Sequence, residues 1–100
     1  MNKCHFLGKA LSLDFKEASG DGAECIQFEL EVEEFRKEKN GNKVRELNYF
    51  EMEAWGTAAK ALSSYLDEEG LLAVEAIARN DGEGTFFRIT SFKILRSDNQ

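Results

Sequence analysis

Hydrophobic and polar residues alternate with a period of two along much of this chain, which is the pattern of β-strands that bury one face. In the run 24–37 the apolar even positions are Ile26, Phe28, Leu30 and Val32, and the odd positions between them are Gln or Glu. In the run 44–55 the apolar even positions are Phe50, Met52 and Ala54. We therefore expect the even positions of both runs to face a core and the odd positions to face solvent.

Three aromatic residues fall on the solvent side of this pattern. Phe35 has an odd number in the first run, and Tyr49 and Trp55 have odd numbers in the second. A small domain gains little stability from exposing three aromatic side chains on one sheet face, whereas a protein that stacks planar ligands requires them. Nucleic-acid bases are the commonest such ligands for a small β domain. The pattern therefore predicts a base-stacking surface.

The same patterns predict a mainly β protein with five strands and one helix. The predicted strands are Asn2–Leu13, Glu24–Lys37, Val44–Trp55, Leu71–Arg79 and Thr85–Leu95. A helix at Thr57–Glu68 follows the third strand, with Thr57 as its cap, Tyr65 in its apolar stripe and Gly70 at its end. This order predicts an OB-fold, a five-stranded Greek-key barrel with one helix between strands 3 and 4. We expect one domain over residues 1–96, a polar turn at 18–22 and a short disordered end at 97–100.

The parity of the two central strands limits the turn between them. A two-residue turn at Asn40-Gly41 would place their apolar residues on opposite faces of the sheet. We therefore expect a turn with an odd number of residues, or a bulge that restores the register.

Composition sets the class of protein. One hundred residues with 42% hydrophobic content are typical of one folded domain. No apolar run approaches the roughly 20 residues of a membrane helix, and the N-terminus lacks a secretory signal, so we expect a cytoplasmic protein. The net charge of −6 argues against nucleic acid as a partner, because phosphate binding normally uses a basic surface.

The reactive residue types indicate no catalytic centre. Cys4 and Cys25 lie in strand-like segments, which favours free, largely buried thiols; a disulfide, or metal ligation by Cys4 with His5, is the alternative. His5 is interpreted as a packing or interface residue. The sequence has no phosphate loop and no GxSxG or HExxH motif. We therefore expect a protein that is not an enzyme, with no cofactor, no catalytic residues and no metal ligands.

Several segments match a known family in order and spacing. They are Met1-Asn2-Lys3, Phe6-Leu7-Gly8, the run 28–36, Lys39-Asn40-Gly41, the run 48–56 and the run 70–75. From Met1 to about Leu95 the chain resembles the bacterial and phage single-stranded DNA-binding proteins of the OB-fold, tetramer-forming type. It looks like a short member without the family's acidic tail.

The resemblance implies binding of single-stranded DNA with little sequence preference, which protects the strand in replication, recombination or repair. It also implies a homo-oligomer, either a dimer or a tetramer, with the first strand and His5 at the interface. Replication or repair proteins are further expected partners. The implied location is the nucleoid, or the host cytoplasm if a phage encodes the protein.

The family's stacking positions match Phe35, Tyr49 and Trp55 by spacing, which are the residues that parity selects. The alternative for each ring is partial cover by a loop or a subunit interface. The residues expected to hold phosphates lie near the tip of the hairpin: Arg36, Lys37, Lys39, Lys43 and Arg45. The alternative for this cluster is a charged turn that serves only solubility.

The chain also departs from the family. Its short hairpin after the fourth strand lacks the fourth stacking aromatic, for which Phe86 or Phe87 is a partial substitute. Acidic residues share the candidate face with the aromatics: Glu29, Glu31, Glu33, Glu51 and Glu53. They are interpreted as a solvated face away from the DNA, as a divalent-cation site, or as a docking face for a basic protein. The last option defines an alternative function, an OB-fold interaction or replication-accessory domain with weak or lost DNA binding.

Overall fold

The computed structural model describes residues 1–17 and 23–96 and contains five strands and one helix there. The strands are β1 (Cys4–Lys16), β2 (Cys25–Lys37), β3 (Lys43–Trp55), β4 (Leu71–Asn80) and β5 (Thr85–Arg96), and the helix is α1 (Gly56–Tyr65). The strands form a closed barrel in the order β1-β2-β3-β5-β4. The predicted OB-fold is therefore confirmed. The predicted turn at 18–22 and disordered end at 97–100 lie outside the described residues.

The long hairpin of β2 and β3 has the predicted parity. Its antiparallel register runs from the pair Cys25–Trp55 to the pair Lys37–Lys43, so the turn holds the five residues 38–42. Gly41 has a φ of +88°, and the Asn42 N–H donates to Asn40 Oδ1 at 2.9 Å. Because the turn is odd, every even residue of β2 lies opposite an even residue of β3.

The apolar even positions 26–32 of β2 and 50–54 of β3 line the barrel core, as predicted. Phe50 packs there with its ring centroid 4.8 Å from that of Phe6 and 5.7 Å from that of Phe87. The buried cluster consists of Ala10, Ile26, Phe28, Leu30, Met52, Ala54, Ala59, Leu62, Leu66, Leu72, Val74 and Ile89. Burial of these side chains supplies the main favourable free energy of folding.

The outer part of the β2–β3 hairpin extends beyond this core. From residue 33 to the turn both faces of β2 are exposed. Odd and even side chains therefore no longer differ in burial there. The Cα radius of gyration is 15.1 Å, compared with about 13 Å for a compact chain of this length. The hairpin tip is therefore an arm that few contacts restrain.

The helix is shorter than predicted. It covers Gly56–Tyr65, its N-cap residue is Trp55 rather than Thr57, and no side chain caps it. It ends before Gly70 because the following segment pairs with β1: the Glu69 N–H donates to Ala10 O at 2.7 Å. Tyr65 is exposed rather than part of the apolar stripe. No helix in the described residues is long and apolar enough to cross a membrane.

The first strand is longer than predicted and bends. Pairing with β2 shifts register between Leu11 and Asp14, and Ser12 there has a φ of +59°. The Leu13 N–H, which the shift frees from the ladder, donates to Glu68 Oε1 at 2.8 Å. This bulge lets β1 continue to Lys16 and close against β2.

The barrel closes through a short parallel contact between β3 and β5. Only Met52–Phe87 and Glu53–Arg88 are in register there within the described residues. Side chains of neighbouring strands in register point to the same side. Met52 and Phe87 therefore face the core, whereas Glu53 and Arg88 face outward beside each other.

Gly8 provides a test of the packing of β1 on β2. A Cβ at this position would overlap the Glu31 carbonyl group, whose carbon would lie 2.9 Å away, whereas a Cβ at Gly84 would meet nothing within 4 Å. We expect Gly8→Ala to lower the free energy of unfolding by about 1–3 kcal/mol, as overpacking does. Gly84→Ala, the matched control, should leave it nearly unchanged. Urea denaturation of both variants measures the difference, and equal stabilities would contradict this close approach.

Candidate nucleic-acid interface

The odd-numbered residues of β2 and β3 form one continuous surface, here called the outer face. Successive cross-strand pairs on it are separated by about 7 Å along the strands. From the barrel to the hairpin tip the pairs are Cys25–Trp55, Gln27–Glu53, Glu29–Glu51, Glu31–Tyr49, Glu33–Leu47, Phe35–Arg45 and Lys37–Lys43. The outer face thus carries aromatics near both ends and in the middle, with the acidic pair Glu29–Glu51 and Glu53 between Tyr49 and Trp55.

The three predicted stacking residues all lie on this face and are exposed. The exposed fractions are 55% for Phe35, 51% for Tyr49 and 43% for Trp55. Phe35 lies about 13 Å from Tyr49 along the strands, and Tyr49 lies about 20 Å from Trp55. The structure therefore confirms the outward direction that parity predicts, while base stacking on these rings stays a prediction.

The predicted basic residues of the tip are divided between the two sides of the hairpin. Lys37, Lys43 and Arg45 share the outer face with Phe35, and Lys43 Nζ lies 5.5 Å from the centroid of the Phe35 ring. Lys39 is exposed in the turn. These residues form the basic tip: Lys37, Lys39, Lys43 and Arg45.

Arg36 differs from this group. It pairs with Val44 in the even register, so its side chain points away from Phe35, and it binds the carboxylates of Glu46 and Glu38. The structure therefore separates Arg36 from the other predicted phosphate-binding residues. Arg45 stays on the outer face, but its Nε donates to Glu33 Oε2 at 2.6 Å.

Tyr49 is held by a carboxylate from the opposite strand. Its hydroxyl donates to Glu31 Oε2 at 2.9 Å, across a directly opposed pair. This hydrogen bond raises the pKa of Tyr49 above its ordinary value of 10.0, because it stabilises the neutral phenol and a phenolate would face the Glu31 charge. The polar edge of the ring is thus fixed while the ring remains exposed.

Trp55 is held in a similar way, but by a buried group. Its Nε1–H donates to Glu53 Oε2 at 2.6 Å, and Arg88 Nη2 lies 3.4 Å from Glu53 Oε1. Glu53 was expected to face solvent with the other acidic residues, yet it is only 6% exposed. The prediction was wrong because β5 covers this residue at the closure of the barrel, and no local pattern indicates that β5 pairs with β3.

The remaining carboxylates of the outer face are not neutralised. Glu29 and Glu51 are directly opposed and exposed, and neither forms an ion pair or a side-chain hydrogen bond within the described residues. They line an open cleft of about 450 Å³ together with Ser12, Asp14, Gln27, Phe28, Met52, Glu53, Asp81 and Phe86. This acidic cleft lies between Tyr49 and Trp55 and would repel a phosphate backbone.

The two candidate substitutes for a fourth aromatic differ in position. Phe87 packs in the core, with its ring centroid 5.0 Å from that of Phe6, so it is unavailable for stacking. Phe86 lines the acidic cleft. The hairpin after β4 is as short as expected, with Asp81–Gly84 between Asn80 and Thr85.

The other reactive residues do not form a site. Both cysteines are free, Cys25 is buried and Cys4 is half-buried, and burial raises the pKa of the Cys25 thiol. His5 is exposed on β1 opposite Glu75. Among residues 1–17 and 23–96, no group of three His, Cys, Asp or Glu side chains is placed to hold a metal ion.

Arg88 is the residue of this surface that sequence reasoning did not select. Its side chain is 38% exposed beside Glu53, and its Nε is buried without a hydrogen-bond partner in the described part of the chain. Arg88 lies beside Glu53 because β3 and β5 pair in parallel. The two residues are 35 positions apart in the sequence. No local pattern contains this information.

Solved structures share this architecture across the whole chain. A deletion variant of the single-stranded DNA-binding protein from Thermus aquaticus superposes with a TM-score of 0.81 at 16% identity, over 100% of this chain and 53% of that protein. The chain therefore spans about half the length of the Thermus protein. The single-stranded DNA-binding protein from Plasmodium falciparum, solved in complex with single-stranded DNA, has a TM-score of 0.78 at 15% identity and 95% coverage of both chains.

A third similar structure carries a different name. The protein PriB from Ralstonia solanacearum has a TM-score of 0.78 at 11% identity, over 96% of this chain and 99% of that one. Neither a protein-family model nor a curated protein sequence matches the chain. At these identities the comparisons show the fold, which is the OB-fold of single-stranded DNA-binding proteins and of PriB.

The hydrogen bond between Tyr49 and Glu31 can be tested by alkaline titration. In a Tyr65→Phe background Tyr49 is the sole tyrosine, and its tyrosinate absorbance should appear at a pH above the ordinary value. Adding Glu31→Gln should lower this pKa because the carboxylate charge is removed. The folded protein favours the neutral phenol of Tyr49. The stability that the hydrogen bond contributes is therefore fully present below about pH 10 and is lost as the pH rises through the raised pKa of Tyr49.

Glu51→Gln in the same background is the matched control, since Glu31 and not Glu51 accepts the hydrogen bond of the Tyr49 hydroxyl. It should shift the titration less than Glu31→Gln does. An identical midpoint with and without the Glu31 carboxylate would contradict the hydrogen bond.

Proposed function

We propose that this protein binds single-stranded DNA with little sequence preference and has no catalytic activity. Bases stack on Phe35, Tyr49 and Trp55, and the basic tip contacts the phosphates of the same strand. The protein would thereby protect unwound DNA in replication, recombination or repair in the cytoplasm. Arg36, on the other side of the hairpin, would add only longer-range attraction.

The observation that carries this proposal is the exposure of three aromatic rings along one face of one hairpin. Base stacking contributes roughly 1–3 kcal/mol per base, and three sites separated by about 13 and 20 Å would engage one extended strand. Three basic residues, Lys37, Lys43 and Arg45, share the outer face with Phe35 at the tip, which supports a strand path that begins there. The similar structures of single-stranded DNA-binding proteins support the same class of ligand.

We also propose that the protein acts as a dimer or tetramer. The outward positions of β1 include His5 and Leu7, and Leu7 is 52% exposed. A second copy packing on β1 would cover this apolar side chain and leave the outer face of β2 and β3 free. Replication or repair proteins are further proposed partners.

The acidic cleft favours a second candidate function. A surface with several carboxylates between two aromatics also suits a basic protein segment, which is the expectation for an OB-fold interaction or replication-accessory domain. That candidate predicts a folded protein without saturable DNA binding at low salt. The measurements that follow therefore separate the two functions.

Replacing the outer-face aromatics should weaken DNA binding without unfolding the protein. We expect Trp55→Ala and Tyr49→Ala each to reduce the affinity for oligo-dT by about 1–3 kcal/mol, the cost of one lost stacking contact. Tyr65→Ala is the matched control, because Tyr65 is 68% exposed on α1, away from this face. Anisotropy of a labelled oligonucleotide measures binding, and circular dichroism checks folding. Equal affinities of the Tyr49 and Tyr65 variants would exclude Tyr49 from the site.

The basic tip should determine the salt dependence of binding. For single strands each phosphate contact contributes roughly 0.7 to the slope of log K against log salt concentration. We expect Lys43→Ala to reduce the slope by about that amount, because Lys43 lies over the Phe35 ring on the outer face. Lys93→Ala on β5 is the control with the same change of net charge. The same slope for both variants would show that the tip is only a charged turn.

A further inference from the structure

Glu53 is a nearly buried carboxylate on the outer face. A buried carboxylate is costly to desolvate, and a strand that binds DNA is expected to avoid one. Glu53 nevertheless lies nearly covered beside a predicted stacking residue, while Glu51, two positions earlier on the same face, is exposed. The contacts of Glu53 with Trp55 and Arg88 offset the cost of burying its charge.

Both carboxylate oxygens of Glu53 are engaged. Oε2 accepts the Trp55 Nε1–H at 2.6 Å, and Oε1 lies 3.4 Å from Arg88 Nη2. A hydrogen bond to an ionised acceptor is shorter and stronger than one between neutral groups. Burial strengthens both interactions because the local dielectric constant is low. The indole is therefore tied at its polar edge to a group that is itself fixed from β5.

Within residues 1–17 and 23–96, Trp55 forms no side-chain hydrogen bond other than the one to Glu53. It is the last residue of β3, 43% exposed, and Gly56, which follows it, has a φ of +63°. That backbone conformation turns the chain directly into α1, so β3 ends at Trp55. Without Glu53 the indole would be free to populate other rotamers, and part of the binding free energy would be spent on ordering it.

We propose that Glu53, held by Arg88, is a positioning residue that fixes the indole of Trp55 with its ring face open to a base. The effect of Glu53 on DNA affinity rests on the proposed function, whereas its effect on the mobility of the indole ring does not. Glu53 thus strengthens DNA binding although it bears the charge that phosphate repels. Glu51 carries the same negative charge but does not accept the hydrogen bond of Trp55, so it only weakens DNA binding.

The opposite signs of these two effects define the experiment. If charge alone mattered, removal of either carboxylate would tighten oligo-dT binding by about twofold, since both lie on the same strand. We expect Glu51→Met to tighten binding in this way. Glu53→Met, similar in length but without an acceptor, should instead weaken binding by about three- to tenfold, a part of the loss caused by removing a whole stacked ring. Tightening of both variants to the same extent would overturn the proposal.

A double-mutant cycle that combines Trp55→Phe with Glu53→Met distinguishes the loss of the hydrogen bond from a general disturbance of the fold. Phenylalanine keeps an aromatic ring but has no N–H to donate to Glu53. In the Trp55→Phe background, Glu53→Met should no longer weaken binding and should show the same mild tightening as Glu51→Met. A weakening that persists in this background would mean that Glu53 acts through the fold rather than through the indole.

A measurement without DNA keeps the two proposals distinguishable. Trp55 is the only tryptophan, so time-resolved fluorescence anisotropy of the free protein reports the mobility of this ring alone. Glu53→Met should add a fast depolarising motion that the wild type, Glu53→Gln with its remaining acceptor, and Glu51→Met lack. An immobile ring in Glu53→Met would overturn the positioning role, whereas absent DNA binding by the wild type would overturn only the proposed function.

Arg88 gives a second route if Glu53→Met does not fold. Arg88→Met removes the charge that fixes Glu53 on the β5 side, and ring mobility should rise in the free protein. Lys93→Met, on the same strand and without an ion pair in the described residues, is the matched control. Equal ring mobility in these two variants would contradict the role of Arg88.

Discussion

β2 and β3 remain in one unbroken register over all 13 residues of each strand, and both the core and the candidate interface depend on it. Side chains alternate between the faces of a strand, so a shift by one residue would exchange the two faces entirely. If β3 shifted in this way, Met52 would enter solvent, and Tyr49 and Trp55 would enter the barrel. The burial of the even face therefore fixes the direction of the aromatics on the odd face. The five-residue turn is the length that permits this arrangement.

The acidic outer face is compatible with a base-stacking role because most of its carboxylates serve the neighbouring side chains. Glu33 binds Arg45, Glu31 accepts from Tyr49, and Glu53 accepts from Trp55 and Arg88. Each of these contacts orders a residue that points outward. Within the described residues, the opposed pair Glu29–Glu51 at the acidic cleft forms neither an ion pair nor a side-chain hydrogen bond. The net charge of −6 therefore gives a poor description of the surface that a DNA strand would meet at the hairpin tip.

The two ends of this surface differ in rigidity for a physical reason. At the barrel end Trp55 rests on buried groups and on the closure of β3 against β5. At the tip, Phe35 and the basic residues lie on an arm whose two faces are both exposed, so little apolar burial opposes local motion. A strand bound along the outer face would thus meet an adaptable charged tip and a fixed aromatic at the barrel.

The sequence alone determined the order of the five strands and the helix, the parity of the turn and the outward direction of Phe35, Tyr49 and Trp55. These features follow from local periodicity, since each strand's alternation records which face it buries. It did not determine that α1 ends at Tyr65, that β1 bends at Ser12, or that Arg36 is paired on the back of the hairpin. Only the tertiary structure decided that Glu53 is buried between Trp55 and Arg88, because β5 reaches β3 through a parallel pairing across 35 residues that leaves no local trace. Burial and charge pairing at that junction are properties of the closed barrel.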